Sequence, residues 1–469
     1  MSKKSIGPQF FILCFVLGAI GGFYLAFNYF FGLTFIILSL LLISRRKFIY
    51  FALLSSFFVG FVYMQVFVLF SKVEPDVGCL RGRVSTVVSQ SKGTNRFGFS
   101  AFSGERLAIE TSQENPHLID EIEVCFAKSN FKEVDGSYEK LLLARYQSAY
   151  LISDPQITIF NESSPVVGLF KIREKIEKIL KKIFIGDKGV LAIGLILGGS
   201  QDFSNEFKEA MQKSGTSHLV AVSGYNVSII TIGFFLFIRQ IFSRKIAIIA
   251  SIFLLIFFCL ITGASASVVR ASAMGLLYLL AKAFGRKVAP LHLLAIAGFL
   301  MILPNPFTLF DIGFQLSFAA TFGLIFALEG VDFSKTKKLY SLLALIFAET
   351  AVAQLFTLPL ILYYFGQSSF LSLIANALIL PAVPFTMGFV ALSVVAGLMS
   401  FSLGLFLGTA GEILLTFISA IIRYFGSIDL ALVRFHLPLY GVIVMYGLIF
   451  CLWFFIAKKK NEKSARENI

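Results

Sequence analysis

The chain has 469 residues, 57% of them apolar and 14% charged, with a mean hydropathy of +0.83; soluble domains carry roughly 25% charged residues, so that class is excluded. Fifty-five phenylalanines against one tryptophan suit lipid-facing helices, because hydrocarbon tolerates apolar surface and penalises unpaired polar groups. The net charge of +14 invites a polyanionic partner, yet the one long polar window, 71–165, holds 10 basic and 13 acidic side chains, so the positive excess belongs to the apolar part.

The apolar stretch 6–43 is too long for one span of ~20 residues and reads as two. Its apolar length and the lack of a small-residue cleavage site argue against a cleavable signal. Arg45-Arg46-Lys47 then faces the cytoplasm by the positive-inside rule, and a third span, 48–70, carries the chain outward. In the polar window, segments 83–88, 106–110, 121–126, 147–152 and 156–160 alternate apolar and polar residues with the strand period of two. Short strands at this density suggest a small closed barrel, OB-like in one compatible topology, with an open sandwich as another. Cys79 and Cys125, the only cysteines of the window, are a possible disulfide, which requires an oxidising compartment, or two reduced buried thiols.

From 169 to 185 an apolar stripe (Ile172, Ile176, Ile179, Ile183) opposes a basic face with Lys171, Lys175, Lys178 and Lys182. This pattern predicts an amphipathic helix on a membrane surface, its lysines meeting lipid headgroups or a polyanion. The apolar stretch 191–199 is short, as in a re-entrant segment. Further spans are expected at 218–237, 246–261, 268–283, 291–303, 312–328, 339–362, 371–395, 403–422 and 437–456, giving about twelve in all. That count returns Lys458-Lys459-Lys460 to the side of Arg45 and keeps the basic loops at 239–245, 282–287 and 335–338 inside.

Three stretches carry polar chemistry. In Ser214-Gly-Thr-Ser-His-Leu-Val-Ala-Val-Ser-Gly-Tyr-Asn-Val-Ser228, Thr216 or Ser217 is a plausible N-cap, placing His218, Ser223, Tyr225 and Asn226 on one helix face. Ser223-Gly224 is alternatively an unwinding point, and the hydroxyls alternatively join helices to one another. In Thr262-Gly-Ala-Ser-Ala-Ser-Val-Val-Arg270, small residues surround an arginine that requires a partner, a phosphate or a route to the headgroups. In Asn305-Pro-Phe-Thr-Leu-Phe-Asp-Ile-Gly-Phe-Gln315, Asp311 and Gln315 share a face, and Asp311 either pairs with Arg270 or caps the next span. Glu349, Gln354 with Pro359, Gly366 to Ser369, Asn376 and Pro381 with Pro384 interrupt later spans, as in broken helices that line a cavity. The chain contains no CxxC, HExxH, P-loop or GxSxG pattern, so no metal, cofactor, nucleotide motor or catalytic residue is expected.

At these residues the chain resembles the ComEC family of competence proteins. The carriers are 217–227 with its Val-Ser-Gly-Tyr-Asn-Val, Gly263 with Arg270-Ala271, Asn305-Pro306 leading into 313–318, and Gly366 through Asn376 to Pro381. The resemblance implies an inner-membrane channel passing single-stranded DNA into the cytoplasm, with His218, Ser223, Gly224, Asn226, Arg270, Asp311, Gln315 and Asn376 in its shared motifs. It also implies a DNA receptor, a separate nuclease and a cytosolic ATPase or helicase as partners, beside the membrane lipids. The chain has Gly224-Tyr225-Asn226 where the family usually has Gly-Leu-His, and it is expected to be a form without the C-terminal metallo-β-lactamase-like domain.

The expected architecture is therefore a polytopic α-helical membrane protein with a small extracytoplasmic all-β domain. Its parts are three N-terminal spans (1–70), an OB-like domain (71–165), an amphipathic helix with a re-entrant segment (166–200), a competence-type channel domain (201–457) and a cytoplasmic basic tail (458–469). Two other functions fit the residues: a transporter of another anion or lipid, and an enzyme using His218 as acid and base.

Overall fold

A computed structural model of the protein describes residues 78–84, 89–91, 94–101, 106–112, 121–132, 151–161, 165–199, 203–220, 222–328, 338–428 and 432–452, with 59–60 and 62–64 before them. The expected first and second spans, almost all of the third and the tail from Lys458 lie outside the described residues. Two compact units divide the chain: Met1–Ile172 with Cys259–Phe314, and Arg173–Phe258 with Gln315–Ile469.

The first unit holds a sheet of eight strands: β1 (Gly78–Val84), β2 (Ser89–Ser91), β3 (Thr94–Ala101), β4 (Arg106–Thr111), β5 (Glu121–Phe126), β6 (Phe131–Lys132), β7 (Leu151–Ser153) and β8 (Gln156–Asn161). The period-two pattern decides which face is buried: Phe97 and Phe99 of β3 stand opposite Ile109 and Leu107 of β4, and all four join Val84, Ile122, Val124 and Ile152 in one core. On the other face Arg96 lies opposite Glu110 and pairs with it at 2.7 Å. Along the sheet the order is β6-β7-β4-β3-β1-β5-β8, with β4 and β7 parallel and β5 and β8 antiparallel. Because β7 and β8 are separated in sequence only by Asp154 and Pro155, the two flanks of the sheet are held by one bent stretch of chain. Asp154 takes φ 45° at the bend. Its amide donates to the Glu110 carbonyl at 2.7 Å, and its carboxylate accepts from Ser112 N at 2.9 Å. Cys79 and Cys125, directly opposed on β1 and β5, form a disulfide.

Thirteen helices follow among the described residues, the first ones being α1 (Pro165–Ile183), α2 (Asp187–Ile196), α3 (Asn205–Ser214), α4 (Gly224–Ile241), α5 (Arg244–Ile261), α6 (Ala266–Ala283) and α7 (Pro290–Ile302). The rest are α8 (Ile312–Leu328), α9 (Lys338–Phe365), α10 (Ser372–Ile379), α11 (Val383–Met399), α12 (Phe401–Gly426) and α13 (Leu439–Leu452). Five of them (α4, α5, α6, α9 from Ala344, and α12) are long and apolar enough to cross a membrane. A sixth is α10 with α11 if that pair, bent by 51°, is one broken span. The chain is thus a mostly helical membrane protein with a small sheet region. The span expected from His218 begins later, at Gly224, because residues 217–219 form a separate 3-10 turn.

In the second unit the apolar stripe of α1 meets protein. A Cβ placed on Gly397 of α11 would lie 2.9 Å from Ile179, and one on Gly408 of α12 would lie 2.8 Å from Ile183. Gly404 of α12 faces Gly397 of α11 equally closely, so absent side chains let three helices meet. The lysines Lys171, Lys175, Lys178 and Lys182 remain on the exposed side of α1. Short α2 is tied to α12 by charge: Lys188 pairs with Glu412, and Arg423 reaches Asp187 at 3.3 Å. Asp187 also accepts from the Ser204 amide and hydroxyl at 3.0 and 2.9 Å, which anchors the start of α3.

Candidate functional site

The Val-Ser-Gly-Tyr-Asn-Val motif resolves first into capping chemistry. Ser223 is the N-cap of α4: its hydroxyl accepts from Asn226 N at 3.4 Å and donates to Asn226 Oδ1 at 3.2 Å, much as a capping box does. Asn226 is 3% exposed, and its amide donates to the Leu195 carbonyl at 3.2 Å. The carbonyls just beyond, Leu197 and Gly198, accept from Arg173 of α1 at 3.2 and 2.9 Å. The C-terminal end of α2, whose last carbonyls lack helical partners, is therefore satisfied by one motif residue and one cation. Tyr225, the other departure from the family pattern, points its hydroxyl at the Leu380 carbonyl between α10 and α11, 3.4 Å away.

His218 does not share the α4 face, since it sits in the 3-10 turn before it. Desolvation by the surrounding protein pushes its pKa below the ordinary imidazole value, a hydrogen bond to the Gly215 backbone opposing the shift. The turn is held from both sides. Gly215, with φ 69°, closes α3: its own amide donates to the Gln212 carbonyl at 3.1 Å and the Thr216 amide to that of Met211 at 2.9 Å. Ser369 of the strand β9 (Gln367–Ser369) donates to the Lys213 carbonyl at 2.6 Å. Ser372 of α10 donates to the Ser369 carbonyl at 2.7 Å and accepts from Gln354 of α9. β9 pairs with β10 (Leu432–Arg434), and Gly366 leaves room there for the His436 ring. Ser369 lies in the stretch 366–369 that the sequence already marks as an interruption, whereas Ser372, which also holds the turn, is missed by sequence reasoning. Only its place between Ser369 and Asn376 signals it.

In the first unit Arg270 lies one turn into α6 and is 7% exposed. Among the described residues it makes no ion pair, and its Nε has no hydrogen-bond partner. Asp311 does not neutralise it; its Oδ1 accepts from Phe314 N at 2.7 Å, the capping alternative. In the second unit, Gln315 accepts from the Tyr364 hydroxyl at 2.8 Å. Asn376 is 5% exposed, and its Oδ1 has no partner among the described residues. Among those residues there is also no cluster of three His, Cys, Asp or Glu side chains able to hold a metal ion.

One regularity joins these positions without reference to packing. On α4 and α6 the basic residues Arg239, Lys282 and Arg286 lie at or just beyond the C-terminal end, whereas Ser223 and Arg270 lie at the N-terminal end. On α8, Asp311 and Gln315 mark the N-terminal end. On α9 the basic residue Lys338 is at the start, and Tyr364 and Gly366 are at the finish. On α4, α6 and α9 the motif residues therefore occupy the helix end opposite the basic residues.

The model of the Competence protein family matches residues 195–460. ComE operon protein 3 of Bacillus subtilis (strain 168) is 28% identical over 312 residues, covering 65% of this chain and 39% of that protein. The chain thus matches well under half of the length of this relative. No solved structure matches.

Proposed function

Because the chain belongs to the competence protein family, we propose that it passes single-stranded DNA through the bacterial cytoplasmic membrane during natural transformation. The observation that carries this reading is Arg270: a guanidinium buried in an apolar helix with no carboxylate beside it among the described residues. Such a charge is expensive to keep unless an anion arrives. A phosphodiester backbone supplies one anion per nucleotide, so it can neutralise Arg270 at each step of passage without staying bound. The guanidinium presents a flat fork of donors to the phosphate oxygens. Ser265 and Ser267, with Ala264, Ala266 and Ala271, leave space for a backbone to approach. From the motifs shared with the family, His218, Ser223, Gly224, Asn226, Gln315 and Asn376 are proposed as channel-lining residues of the second unit, and Arg270 and Asp311 as those of the first.

In this reading the sheet of the first unit is an OB-like barrel on the extracytoplasmic side, where the Cys79–Cys125 bridge is stable. The strand order, with parallel β4 and β7 and the β7–β8 bend, supports the barrel. The helix bundle acts as a channel and not as an enzyme. A DNA receptor outside, a separate nuclease and a cytosolic ATPase or helicase supply capture, strand removal and work. The exposed lysines of α1 meet lipid headgroups or the DNA.

The test is binding of a fluorescent single-stranded oligonucleotide to the full chain in lipid nanodiscs across a salt series. Affinity is expected to fall steeply with salt, and Arg270→Ala to flatten the logarithmic slope by about 0.7, one phosphate contact on a single strand. Binding that ignores salt, or an unchanged slope in Arg270→Ala, contradicts the proposal and turns attention to another anionic or lipid substrate.

A further inference from the structure

At the end of α9 the chain turns at Gly366, with φ 61°, into β9, which pairs with β10 so that Arg434 stands opposite Gln367. The pairing runs on past β10: the Phe435 amide donates to the Gly366 carbonyl at 2.9 Å and the Leu437 amide to that of Leu362 at 3.3 Å. Alternation along such an extended stretch puts Arg434 and His436 on one side and Phe435 on the other. The His436 ring lies beside Gly366, and the Tyr363 ring of α9 is near parallel to it, with planes 27° apart and centroids 6.5 Å apart. Tyr363 is braced in turn. The Tyr364 ring meets it edge-on at 4.8 Å, and the Tyr364 hydroxyl donates to Gln315 at 2.8 Å. Two flat rings and a cation are thus gathered at one short ribbon. Arg434 and His436 are exposed, and among the described residues the Arg434 guanidinium makes no ion pair. A lone cation is unusual at this end of α9, whose own basic residue, Lys338, lies at the other.

We propose that Tyr363, Arg434 and His436 hold one nucleotide of a single strand, its base against the ring pair and a phosphate at the guanidinium. This inference rests on the DNA reading above and supplies a contact that reading lacks, since Arg270 takes phosphates and nothing so far takes bases. Aromatic stacking accepts every base, because each has a π face, as a strand of arbitrary sequence requires. Arg434 brings the complementary charge, and two residues of extended chain set it about 6.6 Å from His436, a distance that one nucleotide spans. Rings and a cation would also suit lipid headgroups. DNA is favoured because two residues of the shared motifs build the ring pair: Gly366 leaves room for His436, and Gln315 braces the tyrosines.

The experiment uses the full chain in nanodiscs of neutral lipid and two fluorescent single strands of equal length, one with bases and one abasic throughout, which keeps the phosphates. Wild type is expected to bind the base-bearing strand about fivefold more tightly or better, the gain from one stacked base. His436→Leu and Tyr363→Leu are expected to remove that preference and Tyr363→Phe to keep it, with thermal unfolding checking that each variant is folded. Arg434→Gln is expected to weaken both strands alike, and Phe435→Leu, on the other side of the ribbon, to change neither. A preference that survives both leucine variants, or that Phe435→Leu removes equally, overturns the site. So does a set of variants that leaves oligonucleotide binding unchanged and alters only the stabilisation by anionic over neutral lipid, the mark of a headgroup site. Wild type that binds both strands equally refutes this site and leaves the DNA reading standing, whereas wild type that binds neither contradicts both.

Discussion

Gly215 meets two demands at once, and a second glycine separates them. Its φ is 69°, and a Cβ there would lie 2.3 Å from the Ser372 side chain. Gly285 has nearly the same φ, 67°, but open space around it. Gly285→Ala is therefore expected to lower stability by about 1–2 kcal/mol through backbone strain alone. Gly215→Ala adds a clash that must displace α10, so it is expected to cost several kcal/mol in all, by roughly another 1–3 kcal/mol of overpacking. Thermal unfolding of the two purified variants measures the difference; equal losses would mean that the contact with Ser372 is not tight. At this scale the sequence is legible where chemistry is local. Asp311 three residues before Phe314 already offers a cap, and the structure uses it so. Ser223 competes with Thr216 and Ser217 as the cap in a stretch rich in hydroxyls. Nothing in the sequence shows that Asn226 spends its amide on Leu195, because that contact bridges 31 residues.

Among the elements, α1 illustrates how a pattern can be read correctly and its partner left open. An apolar stripe opposite lysines defines an amphipathic helix, but the same stripe fits a lipid surface and a protein groove. The groove exists because α11 and α12 carry Gly397, Gly404, Gly408 and Gly411 where they meet α1 and each other. Gly408→Leu is expected to push Ile183 away, lowering the unfolding midpoint by an amount equivalent to about 1–3 kcal/mol. Gly388→Ala on α11, where nothing lies within 4 Å, is the control and should be nearly neutral. Similar losses in both, or none in Gly408→Leu, would remove the glycine groove from the account. The β strands are more legible than the helices, since alternation fixes a face and the core of Phe97, Phe99, Leu107 and Ile109 follows from it. The β7–β8 bend is less so, because Asp154 and Pro155 read equally well as an ordinary turn.

On the scale of the whole molecule, the arrangement of charge is the most informative feature. Basic residues gather at one end of α4, α6 and α9, and the motif residues lie at the other. In the proposed reading the positive-inside rule makes that second end the outer one. In that reading, DNA arriving from outside would meet the motif end of each of these helices before its apolar stretch. The central claim is that this protein is the route by which transforming DNA crosses the membrane. It is tested most directly by following labelled DNA into the cytoplasm in wild type, in a deletion strain and in Arg270→Ala, with protein level and surface-bound DNA measured in parallel. The account predicts DNA held at the surface in the deletion. In Arg270→Ala at normal protein level it predicts a fall of about 10- to 100-fold, the loss of one charge-assisted contact of ~1.5–3 kcal/mol. DNA reaching the cytoplasm of the deletion strain at the wild-type rate, with no second copy of the protein present, would contradict it.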